Sequence, residues 1–260
     1  MRQAHFRFYA ELNDFLPPDR RKRTFSHQFV GRVSAKDMIE AFGVPHTEVD
    51  LILANGESVD FSYLVQDGDR VSVYPVFESI DITPLVRVRP HPLREVRFVL
   101  DTHLGKLATY LRLLGFDTLY RNDFSDEELA QLSSSEGRIL LTRDRGLLKH
   151  SRVTHGYYVR DTAPRRQLGE VLRRFDLFGS LAPLQRCLRC NTLLQPVAKE
   201  VISDRLPPRT KQYYHEFRIC QGCGRIYWKG SHYKRMLQLI GSVLQGKRSG
   251  ERFPDDDDLL

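Results

Sequence analysis

The chain contains four cysteines, and they fall into two pairs, Cys187-x-x-Cys190 and Cys220-x-x-Cys223. Two thiolates three positions apart grip one tetrahedral ion from a tight turn, and two such turns complete a shell of four cysteines around Zn2+. That pattern commits the surrounding segment to a small module folded about a metal. A redox pair would not need a second copy, and a closed four-thiolate shell leaves no position for substrate. The metal is therefore expected to hold structure, and the chemistry has to lie elsewhere in the chain.

With 260 residues, 41% hydrophobic and 10% aromatic, the chain can bury one to three cores. Its apolar runs fall short of the ~20 residues a membrane span needs. Charged and polar residues fall within the first seven positions, which gives the expectation of a cytoplasmic protein with no membrane partner. Charge is uneven. Residues 1–80 hold 9 Lys and Arg against 12 Asp and Glu, whereas residues 81–250 hold 30 against 16. A basic central segment favours a polyanion, RNA or DNA, through counterion release. A basic surface kept for solubility is the plain alternative.

Residues 1–79 read as strand, strand, helix, strand, strand. The helix at about 34–42 opens on Ser34 with Asp37 three places on and stops at Gly43; turns follow at Asn55-Gly56 and Asp67-Gly68-Asp69. The order is that of a β-grasp, and the run from Val44-Pro45-His46 to the strand ending at Pro75 resembles the ubiquitin-like sulfur carriers. Those carriers work through a free terminal Gly-Gly. Here the last strand runs on into Val76-Phe77-Glu78-Ser79, so a docking or stabilising module that could recruit a protein partner is the expected role. Pro84, Pro90 and Pro92 mark residues 80–94 as a linker.

Residues 95–182 alternate strand and helix, with a helix from about His103 stopped by Gly115 and a second capped by Ser125 with Glu128, which predicts a parallel α/β sheet. Residues 183–245 form the expected zinc ribbon, with a loop of 29 residues between Cys190 and Cys220 and a helix from about Ser231 to Leu244 after it. Residues 246–260, including Asp255 to Asp258, read as a flexible acidic tail.

Active sites of parallel sheets form beyond the carboxyl ends of their strands. Asp101 follows one expected strand directly, Asp144 follows another after Thr142-Arg143, and Asp123, Asp126 and Asp161 occupy comparable loops. Carboxylates brought together stay ionised only with a cation, so Mg2+ or Mn2+ held by Asp101 and Asp144 with a partner would suit phosphodiester hydrolysis. Arg143, Arg145 and Lys106 would then hold neighbouring phosphates. Each acid also has a simpler reading, as a helix cap or as a first-turn charge.

These motifs taken together resemble a known family. Phe98-Val99-Leu100-Asp101-x-His103-Leu104-Gly105-Lys106, Arg112, Arg138 through Asp144, and the two cysteine pairs ending in Tyr227-Trp228 are similar to the Mut-seven C-terminal RNase family. The resemblance implies a PIN-like nuclease domain with a fused zinc ribbon and a ubiquitin-like domain in front. It implies metal-binding roles for Asp101 and Asp144, a third acid at Asp126, and RNA-facing roles for Lys106 and Arg112, with a structural charge on the helix as the equal alternative for Arg112. The function expected is a metal-dependent ribonuclease, with endonucleolytic cleavage as the PIN-like expectation. The alternative is a non-catalytic RNA- or ribosome-associated adaptor.

Overall fold

The computed structural model describes residues 1–75, 88, 96–230, 233–238 and 240–241. The chain divides into two compact units, one of residues 1–95 with 125–158 and one of residues 96–124 with 159–260. Most of the expected linker at 80–94, and the acidic tail at 246–260, lie outside the described residues. No helix among the described residues is long and apolar enough to cross a membrane.

In the first unit, β1 (Arg2–Phe8) pairs antiparallel with β2 (Phe25–Phe29). Helix α1 (Ala35–Ala41) follows, and then β3 (Leu51–Ala54), β4 (Glu57–Val59) and β5 (Arg70–Tyr74) complete a five-stranded mixed sheet in the order β2-β1-β5-β3-β4. The central pair β1 and β5 is parallel. Alternation puts Ala4, Phe6 and Phe8 of β1 on one face, each at most 1% exposed. Against that face α1 turns Ala35, Met38 and Ile39, spaced as one helical stripe. Its cap is the expected one: the Ser34 hydroxyl accepts from the Asp37 amide at 3.1 Å.

The same unit contains residues 125–158. The helix Asp126–Glu136 opens on a capping box between Ser125 and Glu128, and the strands Ile139–Thr142 and Gly156–Tyr158 pair in parallel around the short helix Arg145–Leu148. Polar bonds tie this segment to the N-terminal sheet layer. His46 faces an acceptor from each ring nitrogen, Glu40 Oε1 at 2.6 Å and the Val153 carbonyl at 2.8 Å. Lys149 Nζ donates to the Glu40 carbonyl at 2.7 Å, and the fully buried Glu48 accepts from the Tyr158 amide at 2.5 Å. The rings of Phe15 and Tyr158 meet edge to face at 5.6 Å.

Glu48→Ala would leave the Tyr158 amide without the acceptor it has on the buried Glu48. Such a loss costs on the order of 2–3 kcal/mol, so the urea midpoint is expected to fall visibly. An unchanged midpoint would mean that water takes the place of the carboxylate.

In the second unit the strand Arg97–Leu100 runs parallel to Asp117–Leu119. Between them stand a single 3-10 turn, Thr102–Leu104, and the helix Gly105–Leu113. Gly115 ends this passage with φ +98°, and a Cβ there would lie 2.2 Å from the Ala182 carbonyl oxygen, so both backbone and space demand glycine. The helix Pro164–Arg174 packs on Gly105–Leu113.

Three antiparallel strands, Leu194–Val197, Phe217–Cys220 and Ile226–Trp228, form the cysteine module. The 29 residues expected as a loop hold the first of these strands and two short helices, Lys199–Ile202 and Pro208–Tyr213. Ile202 and Leu206 from this insert pack on Phe217 and cover one face of the sheet. Residues 233–238 and 240–241 are helical, and the rest of the expected Ser231–Leu244 helix lies outside the described residues.

Candidate functional site

The two cysteine pairs build matching turns. In each, the residue after the second cysteine donates its amide to the first cysteine's carbonyl: Asn191 to Cys187 at 2.9 Å and Gly224 to Cys220 at 2.8 Å. Each of those residues is left-handed, φ +70° at Asn191 and +69° at Gly224, where Asn and Gly pay the least steric penalty. The cysteine amides are closed in the same way, Cys187 to the Thr192 carbonyl and Cys220 to that of Arg225. The sulfurs converge as a result.

All four Sγ atoms lie within 4.8 Å of one another, with Cys187 to Cys223 at 3.5 Å and Cys190 to Cys220 at 3.2 Å. Among the described residues this is the one group of three or more His, Cys, Asp or Glu side chains close enough to share an ion. Four sulfurs this close fit a tetrahedral metal bound at ~2.3 Å per bond. Their acidities diverge when no cation is present. Burial opposes ionisation of Cys190, but hydrogen bonds with Thr192 and the neighbouring thiols bring it down to about 6. Burial pushes Cys223 up to about 12. A dication would remove that conflict by letting all four ionise together. Tyr227 closes the shell, its hydroxyl 3.1 Å from Cys187 Sγ and accepting from the Leu188 amide at 3.2 Å.

Arg112 and Asn191 fasten this centre to the strand Asp117–Leu119. The Arg112 guanidinium donates to the Leu188 and Arg189 carbonyls at 3.0 and 2.7 Å and to that of Thr118 at 2.9 Å. Its side chain is 3% exposed, and burial lowers its pKa. This placement departs from the RNA-facing role expected for Arg112: an enclosed guanidinium holding carbonyls on both sides serves the protein's own packing. Asn191 accepts from the Thr118 amide at 3.0 Å and donates to Asp117 at 2.9 Å. Asn191 stands in the sequence as the motif residue directly after a Cys-x-x-Cys turn, but that position alone does not announce its bonds to Thr118 and Asp117.

The acids divide between the units. In the second, Asp101 is 6% exposed and its Oδ1 accepts from the Thr102 amide at 2.5 Å and the Thr102 hydroxyl at 3.1 Å. In the first, Asp144 is exposed; its amide donates to Thr142 Oγ1 at 2.9 Å, and its Oδ1 accepts from the Gly146 and Leu147 amides at 2.6 and 3.3 Å. Each acid thus both caps a short helix and stands at the carboxyl end of a parallel strand. Asp126 is exposed in the first turn of Asp126–Glu136, where Ser125 makes the cap.

Asp123 is held low by its hydrogen bond with Arg121 at 2.8 Å. At Asp161 burial works against ionisation, yet the Ala163 amide and Arg166 keep the carboxyl below its usual range; both Asp161 oxygens meet Arg166 Nε at 2.9 Å. Of the expected phosphate-holding residues, Lys106 is exposed, Arg143 is half-buried, and Arg145 is exposed with its guanidinium over the Phe15 and Tyr158 rings at 5.1 and 5.5 Å.

A family model described as Mut7-C RNAse domain matches residues 96–240, and one described as Mut7-C ubiquitin matches residues 1–81. No curated protein and no solved structure matches the chain.

Proposed function

The chain belongs to the Mut7-C RNAse domain family, with a Mut7-C ubiquitin domain ahead of it, and from that membership we propose that it is a metal-dependent ribonuclease of PIN-like type. What carries the reading to particular residues is the repeated placement of Asp101 and Asp144, each at the end of a parallel strand with one carboxylate oxygen pinned by backbone amides. Pinned carboxylates are preorganised hard ligands, the donor type that Mg2+ and Mn2+ take. Asp101 and Asp144 are each proposed as a carboxylate donor to the ion; when bound, such an ion neutralises charge building on a phosphodiester and makes water a better nucleophile.

The remaining work falls to the chain itself. Lys106, Arg143 and Arg145 hold and orient the RNA phosphates. Zn2+ is the ion that four thiolates in tetrahedral array select, and it keeps the ribbon folded for RNA contact. The ubiquitin-like domain is the expected site of any protein partner. Cleavage within the strand, rather than from its ends, is the proposed mode.

The test is incubation of the purified chain with linear and circularised RNA, with added Mn2+ or Mg2+ and without. Cleavage of both forms only with the added ion supports the reading, whereas RNA that is bound tightly but never cut supports an adaptor.

A further inference from the structure

The cysteine module has two sheet faces, and only one is covered by its own insert. Register places Pro196 opposite Arg218 and Arg218 opposite Tyr227, so these three side chains share the face away from Phe217 and the insert helices. A cavity of about 500 Å3 is lined by Pro196, Arg218 and Tyr227 of that face, by Phe217 and Trp228 of the other, and by Tyr233 and Met236 of the following helix. Its volume falls in the range of about 300–1,000 Å3 typical of small-ligand pockets.

Its chemistry is selective. Two tyrosine rings and apolar neighbours offer flat surfaces, while Arg218 and the exposed Lys229 bring positive charge to the same cavity. Lys229 Nζ is already paired with Glu216 at 2.6 Å, whereas Arg218 acts on Glu216 through its charge as a weaker cause than Lys229. Around the cavity, residues 183–240 hold eleven Lys and Arg against three Asp and Glu, a balance that repels cationic ligands and favours a polyanion. Aromatic faces beside a cation are how proteins take single-stranded nucleic acid, because every base has a face to stack and every linkage a phosphate to pair.

We infer that this cavity is a subsite for an unpaired nucleotide of the RNA, its base against Tyr227 and Tyr233 and its phosphate on Arg218. The inference rests on the ribonuclease reading and adds to it a requirement for single-stranded RNA at the ribbon. A duplex keeps its bases stacked on one another and cannot offer one to the cavity.

Trp228 borders the cavity and is the sole tryptophan of the chain, so its fluorescence reports on occupancy. The full chain is titrated, without added Mg2+ or Mn2+, with a short single-stranded oligoribonucleotide and with the same sequence as a duplex, while the anisotropy of a dye on the RNA follows total binding. Saturable Trp228 quenching by the single strand alone is expected. Tyr233→Ala should weaken that binding about tenfold, and Arg218→Ala should lower the slope of log affinity against log salt by roughly one. Binding seen by anisotropy with a silent Trp228 and unaffected variants would overturn the subsite and leave the ribonuclease reading standing. Absence of any RNA binding would overturn both. A Trp228 signal that answers an apolar dye but not RNA would assign the cavity to a protein side chain and also overturn the inference.

Discussion

Replacing Asp101 and Asp144 together by Asn is expected to lower RNA cleavage by roughly a thousandfold or more, while the melting temperature shifts by only a few degrees. The two effects separate because of how these side chains are held. Asp101 Oδ1 accepts from Thr102, and Asp144 Oδ1 from Gly146 and Leu147; an Asn carbonyl oxygen accepts the same bonds. Asn and Asp are nearly equal as helix caps, so the cost to folding should stay within about 1 kcal/mol per site. What Asn lacks is the negative charge that attracts a hard cation, and several kcal/mol of transition-state stabilisation should leave with it. Single-turnover cleavage and thermal melting of the same preparation decide the matter. Cleavage at the unmutated rate would remove both acids from the site, and a large fall in melting temperature would make them structural instead.

Cys187→Ser is expected to have the largest effect on stability. The Cys187 thiol is fully buried, with Cys223 Sγ at 3.5 Å and the Tyr227 hydroxyl at 3.1 Å. Serine would break the four-sulfur set, so bound zinc, measured by atomic absorption, should fall from about one per chain to near none. With it goes metal-linked folding energy of order 10 kcal/mol. The damage should not stop at the ribbon. Arg112 holds the Leu188 and Arg189 carbonyls inside the first cysteine turn, so melting that turn strips acceptors from a buried guanidinium on the helix Gly105–Leu113. Amide exchange should therefore speed up at residues 105–120 before it does at 139–142. Zinc loss with protection at 105–120 intact would show that the clamp carries no coupling.

Local signals in the sequence carried through to the structure where local physics decides. Ser34 and Ser125 cap the helices expected of them, and Gly115 stops the helix before it. The four cysteines meet because a Cys-x-x-Cys turn needs only its own backbone and one left-handed residue. Arg112 was ambiguous in the sequence for the opposite reason. On a helix wheel it is an ordinary cation, and its burial depends on a carbonyl 76 residues further along the chain. The helices Lys199–Ile202 and Pro208–Tyr213 escaped because four or six residues are too few to show a helical period. Likewise nothing near His46 or Glu48 announces Val153 and Tyr158 as their partners, since long-range pairing of polar groups leaves no periodic trace.

Those last two contacts bear on what the ubiquitin-like domain can do. The surface around His46 and Glu48 is already engaged by residues 149–158 of the same chain, in one compact unit. A tethered ligand of this kind acts at an effective concentration in the millimolar range, and a free protein competing for the same surface would need affinity enough to displace it. Among the described residues, the edges of the sheet, β2 and β4, pair with no further strand. A partner arriving from solution would meet least resistance by adding a strand along one of those edges, so selection for binding would act there while His46 and Glu48 answer only to their own chain.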